Sequence, residues 1–426
     1  MPEARGRALA VLALAALAAA HAAVVVSVLA QPLDVRRSAP ERRSLVFSLS
    51  NDSVHRVGPG ADFFALYRAG VQVRAGRSPY SGTPDAASPP YGYAYRYLPL
   101  TAATLGRAAA ALPPRAAWVA WGIANELLLV GFAALWLAAA RSRAAAAAGL
   151  ALLLASTPYF LELHMGQFTF AATALAAAAL LLFERARGRA VRAAAGLLLA
   201  AGAALKVYPL VVLPALRRDR AARLAGGLVA AALLAATLAH GLGAPRTVAH
   251  LAGANFASLS TAPQTGNFGM LYTLTALARE SGVVLAPGLF AALARGWQLV
   301  VLGSAVLVAW RAPREALAMA GGLCLTGFFL AYQDVWEHHY SGALVAGLLV
   351  ARGLVPERAP RAARALAWLA LAAIAAPTPF AWLAGSADPT WISWPGWQRW
   401  ALPLSKSGPL LALHACGLAA LARRGP

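Results

Sequence analysis

The chain has 426 residues, of which 60% are hydrophobic and 12% charged, about half the charged share of an ordinary soluble domain. That balance excludes a water-soluble globular enzyme. The formal charge of +21 does not indicate a nucleic-acid partner, because the arginines fall in short clusters between apolar runs and form no continuous basic face.

Apolar runs of about 17 to 25 residues, the length a helix needs to cross a bilayer, recur along the chain. This predicts an all-α, polytopic membrane protein with one domain over residues 1–426. Residues 7–30 form the first span, with the N-terminus inside; a cleavable signal peptide ending near Val28-Leu29-Ala30 is the alternative, against which the apolar core is too long. Residues 31–96 then form a long extracytoplasmic loop holding Asp34, Glu41, Asp52, Asp62 and Asp85. Its tyrosines, Tyr91, Tyr93, Tyr95 and Tyr97, suit the headgroup level.

Residues 98–112 are apolar but short, and are read as a re-entrant or juxtamembrane helix. Spans follow at 116–140, 144–162, 168–184 and 190–206. Tyr208-Pro209 breaks the helix after Lys206, and the chain must return by Leu216 because Arg217, Arg218, Arg220 and Arg223 follow. A broken helix at membrane depth is tolerated where it lines a cavity, so Lys206 is expected to face one. Spans at 221–241, 291–310, 315–332, 341–352, 362–384 and 407–422 enclose outer loops at 242–288 and 385–406, the latter rich in tryptophan (Trp391, Trp394, Trp397, Trp400). The arginine clusters set about twelve crossings with both termini cytoplasmic, in a plasma or inner membrane.

On this topology the unusual polar residues fall on one side: Asp62, Arg96, Glu162, His164, Gln167, Lys206, Asn267, Asp334, Glu337, His338 and His339. A one-sided cluster fits a site open to the outer face. Asp62 opens an amphipathic stretch with Leu66 and Tyr67 on its face, directed toward the membrane surface. It is a candidate general base, with a helix N-cap as the alternative role. Only Lys206 and Lys406 are lysines among the 37 basic residues. Lys206 either snorkels to the interface or binds phosphate as a point charge.

His338-His339, beside Glu337 and Asp334, would point about 100° apart on a helix and so suit phosphate or sugar contact, or an interfacial structural role, better than one metal ion. His164 and Gln167, three apart, share a helical face. Cys324 and Cys416 imply neither a disulfide framework nor a metal site.

Asp62-Phe63-Phe64 with Tyr67 and Ala69, Gly76 to Tyr80, Tyr97 to Pro99, Gly166-Gln167, Leu205-Lys206 with Pro209, Asn267, and Trp336 to His339 together resemble glycosyltransferase family 87, the DUF2029 group of polyprenyl-phosphate-mannose-dependent mannosyltransferases with the GT-C fold. The resemblance implies inverting transfer of a sugar, mannose in the family, from a polyprenyl-phosphate donor to a lipid or glycan acceptor of the cell envelope. It makes Asp62 the base, and Lys206 and one of the histidine pair contacts of the donor phosphate. Arg96, Gln167, Asn267 and Tyr67 are further candidate donor contacts. The sequence departs from the family at Tyr97-Leu98-Pro99, where a double proline is usual, and at Phe168-Thr169, where an asparagine is common. No metal or other cofactor is expected, since cations can stabilise a departing phosphate. No nucleotide-binding glycine motif is visible. A lipid or polysaccharide transporter or flippase without chemistry is the alternative, and predicts that Asp62→Asn leaves function intact.

Overall fold

The computed structural model describes residues 2–33, 59–81, 95–185, 188–217, 219–239, 266–354, 359–379 and 396–423, and every regular element among them is a helix. Trp391, Trp394, Asp34, Glu41, Asp52 and Asp85 lie outside the described residues. Helix α1 (Pro2–Leu29) is followed by α2 (Ala61–Arg74), then by α3 over residues 99–109, whose middle turn, Ala102–Gly106, is π-helical. Next come α4 (Pro114–Ala139), α5 (Arg143–Leu154), α6 (Thr157–Met165), α7 (Thr169–Arg185), α8 (Arg189–Leu205) and α9 (Arg220–Ala239). The chain continues through α10 (Met270–Glu280), α11 (Pro287–Arg311), α12 (Leu317–Ala331), α13 (Tyr340–Leu354), α14 (Arg361–Ala375) and α15 (Gln398–Ala422).

Among the described residues five helical stretches are long and apolar enough to cross a membrane: Ala8–Leu29, Pro114–Ala139, Arg143–Met165, Pro287–Arg311 and Arg314–Ala331. The third bends where Ser156 caps the Tyr159 N–H. Apolar side chains such as Leu127, Leu197, Leu299 and Leu369 point outward, the arrangement expected when the solvent is hydrocarbon. Helices α7, α12 and α13 are buried nearly all round and form the centre. Without a hydrophobic drive between helices in lipid, small residues must let backbones approach closely. Gly322 of α12 faces the Ala346 carbonyl of α13 accordingly.

One end of this bundle is held by arginines. Arg352 reaches the Ala139 carbonyl at 2.9 Å and pairs with Glu184 at 2.7 Å. Glu184 also accepts the Ala318 N–H, and Arg185 donates to the Ala138 carbonyl. After Lys206 the chain descends to this end without an α-helix. Backbone bonds of the i to i+3 type run from Val207 to Asp219, and a 3₁₀ path gains about 2 Å per residue instead of 1.5 Å. Eleven residues therefore bring Arg217 to stack on Trp310 and bond its carbonyl.

At the opposite end α3 lies across α2. Its 11 described helical residues span only about 16 Å, so it does not cross. The close approach is made at Gly70, where a side chain would collide with the Gly106 carbonyl. Gly70→Ala should therefore separate the two helices and cost about 1–3 kcal/mol. A lowered unfolding temperature in detergent, against a Gly131→Ala control that is not lowered because its side chain meets nothing, checks this.

Two of the outer loops read from the sequence hold helix in their described parts. The outer loop proposed for 242–288 contains α10, which packs on α15. The loop proposed for 385–406 gives way to helix at Gln398, and Pro403 and Pro409 lie inside α15, where Ser407 back-bonds to the Pro403 carbonyl. Lys406 is buried as a helix cap, donating to the carbonyls of Ala373, Ile374 and Ala376 at the end of α14.

Candidate functional site

The C-terminus of α6 begins the site. Gly166 takes φ 69° and closes the helix, with Gly166 N–H bonding Leu163 and Gln167 N–H bonding Glu162. That left-handed turn is open to glycine at little cost, and a side chain there would meet Phe63 at 2.5 Å. His164 and Gln167 consequently do not share a helical face. The turn throws Gln167 clear of the helix, while the His164 carbonyl accepts the Gly60 N–H and pins the start of α2.

Asp62 is the second residue of α2, and the N-cap position falls on Gly60 with no side-chain cap. The capping role is thus excluded. Nor does its face turn to the membrane surface: Leu66, one turn on, is buried with Tyr95, Phe168 and Ala102. The carboxylate instead faces Gln167, Tyr97, Lys206 and Arg96. Tyr97 donates its hydroxyl to Gln167 Oε1 at 3.0 Å, which leaves the amide nitrogen of Gln167 for Asp62. Burial pushes the Asp62 pKa up to about 6, against the opposing pull of Lys206, Gln167, Arg96 and Tyr97. It is an ionised carboxylate at neutral pH with unusual proton affinity.

Lys206 stands in extended backbone just past α8. Its Nζ donates to Thr169 Oγ1 at 2.8 Å and lies 5.8 Å from the centre of the Tyr97 ring. The carboxylates of Glu162, Asp62 and Asp334 all act on it. The helix break is stabilised from the other side, since Tyr208 bonds the Thr169 carbonyl and stacks on Phe328 at 4.6 Å. The break therefore aims the ammonium into the cluster.

The loop after α12 completes the site. Asn267 Nδ2 donates to the Gln333 carbonyl, its Oδ1 accepts the Gly269 N–H, and it forms an antiparallel bridge with Trp336. Both ends of that amide are engaged by backbone, so Asn267 shapes the loop. Tyr67 likewise donates to the Leu112 carbonyl at 2.9 Å, on the α3 side and away from Asp62. Arg96 is exposed and acts on both Asp62 and Asp334.

His338 and His339 lie in a 3₁₀ turn with ring centroids 4.3 Å apart. His339 Nδ1 accepts the Trp336 N–H at 2.9 Å. Burial, then the nearby Lys206 cation, drives the His338 pKa down to about 3. His339 is also held well below the usual range by burial, His338 and Lys206. Both rings are neutral, so they can offer hydrogen bonds but no positive charge. Among the described residues no three metal-ligating side chains converge.

Glu162 is a member that the motifs did not assign. It is buried, accepts the Phe170 N–H at the start of α7, and is bonded by Ser341. It thereby fixes the helix end that presents Thr169 to Lys206. An ionisable residue inside an apolar run was the available signal.

The arrangement couples a carboxylate with raised proton affinity to a lysine and an arginine, which suits deprotonating one group while neutralising an anion. Residues 95–332, more than half of the chain, match the family model described as Glycosyltransferase family 87. No curated protein matches the chain. Asp62 and the loop at 333–339 lie outside the matched residues, and the fold brings them against Gln167 and Lys206 within it.

Proposed function

From the premise that this chain belongs to glycosyltransferase family 87 and is a membrane glycosyltransferase, we propose that it transfers a sugar, mannose, from a polyprenyl-phosphate donor to a hydroxyl of a lipid or glycan acceptor. The convergence of Asp62 with Gln167, Tyr97, Lys206 and Arg96 carries this reading. Asp62 takes the acceptor hydroxyl proton. The acceptor oxygen attacks the anomeric carbon from the face opposite the phosphate, the anomeric C–O bond breaks, and its electron pair leaves on the phosphate oxygen with inversion. Lys206 and Arg96 offset the charge that grows on that oxygen, and His338 and His339 contact the donor as neutral hydrogen-bonding groups.

The fold proposed is GT-C-like with about twelve crossings. The arginine end, with Arg141, Arg185, Arg311 and Arg352, is assigned to the cytoplasm by the positive-inside rule, which puts both termini there. The site then faces the extracytoplasmic side of a plasma or inner membrane.

Transfer of radiolabelled mannose from polyprenyl-phosphate mannose, in membranes containing this protein and supplied with extracts holding candidate acceptors, tests the reaction. Labelled product above the empty-vector level is the expected result. Because the base must be ionised and burial raises its pKa to about 6, kcat/KM should fall about tenfold per pH unit below 6 and level off above it. A profile flat from pH 5 to pH 7 would remove Asp62 from the proton-transfer step.

A further inference from the structure

In loop 333–339 the buried atoms Asp334 Oδ1 and His338 Nε2 find no partner among the described residues, although the Asp334 carboxylate is also hydrogen-bonded with Trp336. This is not slack in a loose loop. Asn267 clamps Gln333 and bridges Trp336, the Phe268 N–H bonds the Val335 carbonyl, and Tyr340 bonds the Phe268 carbonyl. Buried polar atoms are ordinarily satisfied, and an orphan held in a rigid frame calls for an explanation. A bound ligand supplies one.

The chemistry of that ligand is constrained. Asp334 is acted on by Arg96 and Lys206, and His338 by Lys206, so both border the cation that also serves Asp62. A phosphate would be repelled by the Asp334 carboxylate and has Lys206 and Arg96 available instead. A carboxylate oxygen is an acceptor, and a neutral imidazole nitrogen complements either end of an O–H group. Neighbouring hydroxyls on a ring fit both atoms.

We propose that Asp334 Oδ1, together with His338 Nε2, binds hydroxyl groups of the sugar being transferred, and that Asp334 determines which sugar the site accepts. This rests on the glycosyl-transfer reading above. Lys206 and Arg96 hold the phosphate, Asp62 addresses the acceptor, and the 333–339 loop reads the ring between them. Hydrogen bonds to charged groups are the strong class, and a site built to bond a hydroxyl discriminates against analogues that lack it. Asp334→Asn keeps shape and removes the charge. It should cut the wild type's preference among sugars by about ten- to a hundredfold.

The test uses the full chain in nanodiscs with polyprenyl-phosphate mannose, glucose and galactose and their monodeoxy analogues. Two readouts run in parallel: transfer kinetics, and saturation-transfer difference NMR of the bound sugar, which needs no turnover. Expected for Asp334→Asn is a raised KM for the preferred donor with kcat less affected, and loss of the NMR contact at one or two ring hydroxyl positions. Asp334→Glu, which displaces the carboxylate, should also blunt the preference. An unchanged ring contact map, or equal loss on every donor, would overturn the assignment. Altered contacts with no transfer by wild type would keep the subsite and defeat the glycosyl-transfer reading. Wild type that binds none of these sugars would defeat both.

Discussion

Asp62→Asn should reduce sugar transfer by about 10²- to 10⁴-fold, the range for removing a general base, while the protein accumulates normally. The carboxylate sits at the start of α2 with no capping duty, so the helix does not depend on it. Its pKa moves from 3.8 to about 6 because burial disfavours the charged form. The folded state thus binds the proton more tightly than the unfolded chain, and the stability this gives is present below about pH 4 and lost as pH rises to 6. At pH 7.5 the ionised group costs stability, and a neutral amide of equal shape removes that cost. The unfolding temperature of Asp62→Asn at pH 7.5 should equal or exceed that of wild type. Loss of activity together with a lower unfolding temperature would mark Asp62 as a structural residue.

Lys206→Met should lower kcat by about 10²- to 10³-fold, as for removal of one preorganised group that stabilises an oxyanion. A second consequence separates this from misfolding. Glu162, Asp62 and Asp334 lose their common cation, and a carboxylate without its opposite charge holds its proton to higher pH. The residual activity should therefore show its acid limb above pH 6, to the right of wild type. Lys206→Arg keeps the charge and should retain the wild-type limb, with kcat reduced because the planar guanidinium does not reproduce a point donor to Thr169. An acid limb that stays near 6 in Lys206→Met would separate Lys206 from the Asp62 equilibrium.

The two substitutions address different halves of one reaction. In the proposed reaction Asp62 acts on the incoming hydroxyl, and Lys206 on the outgoing phosphate. Tyr97 neighbours both groups, and α2, which carries Asp62, is pinned by the His164 carbonyl and by the approach of Gly70 to Gly106.

Much of this was legible from residue order. The length and apolarity of the runs dictated helices, and Tyr208-Pro209 dictated the break that frees Lys206, because proline cannot continue the donor pattern. The arginine clusters marked one end of the bundle, where Arg352, Arg185 and Arg217 now bind carbonyls and Glu184. Helix faces were less legible. The spacing of Asp62 and Leu66 is right for one face, yet whether that face meets lipid or protein depends on α3 and on Phe168, distant in sequence. Gly166 removed Gln167 from the face of His164 through a single left-handed residue that periodicity does not detect.

The sequence by itself determined an all-helical membrane chain with its polar chemistry gathered at the end away from the arginines, since composition and run length respond to the solvent around each segment. Only the tertiary structure decided which polar groups are committed and which are available. Asn267, Tyr67 and Lys406 carry the same functional groups as plausible ligands, but backbone carbonyls and N–H groups from remote segments use them. Asp62 and Asp334 are each left acting on Lys206. Hydrogen-bond satisfaction is a property of neighbours in space, and in these three cases the neighbours lie 33 to 66 residues away along the chain.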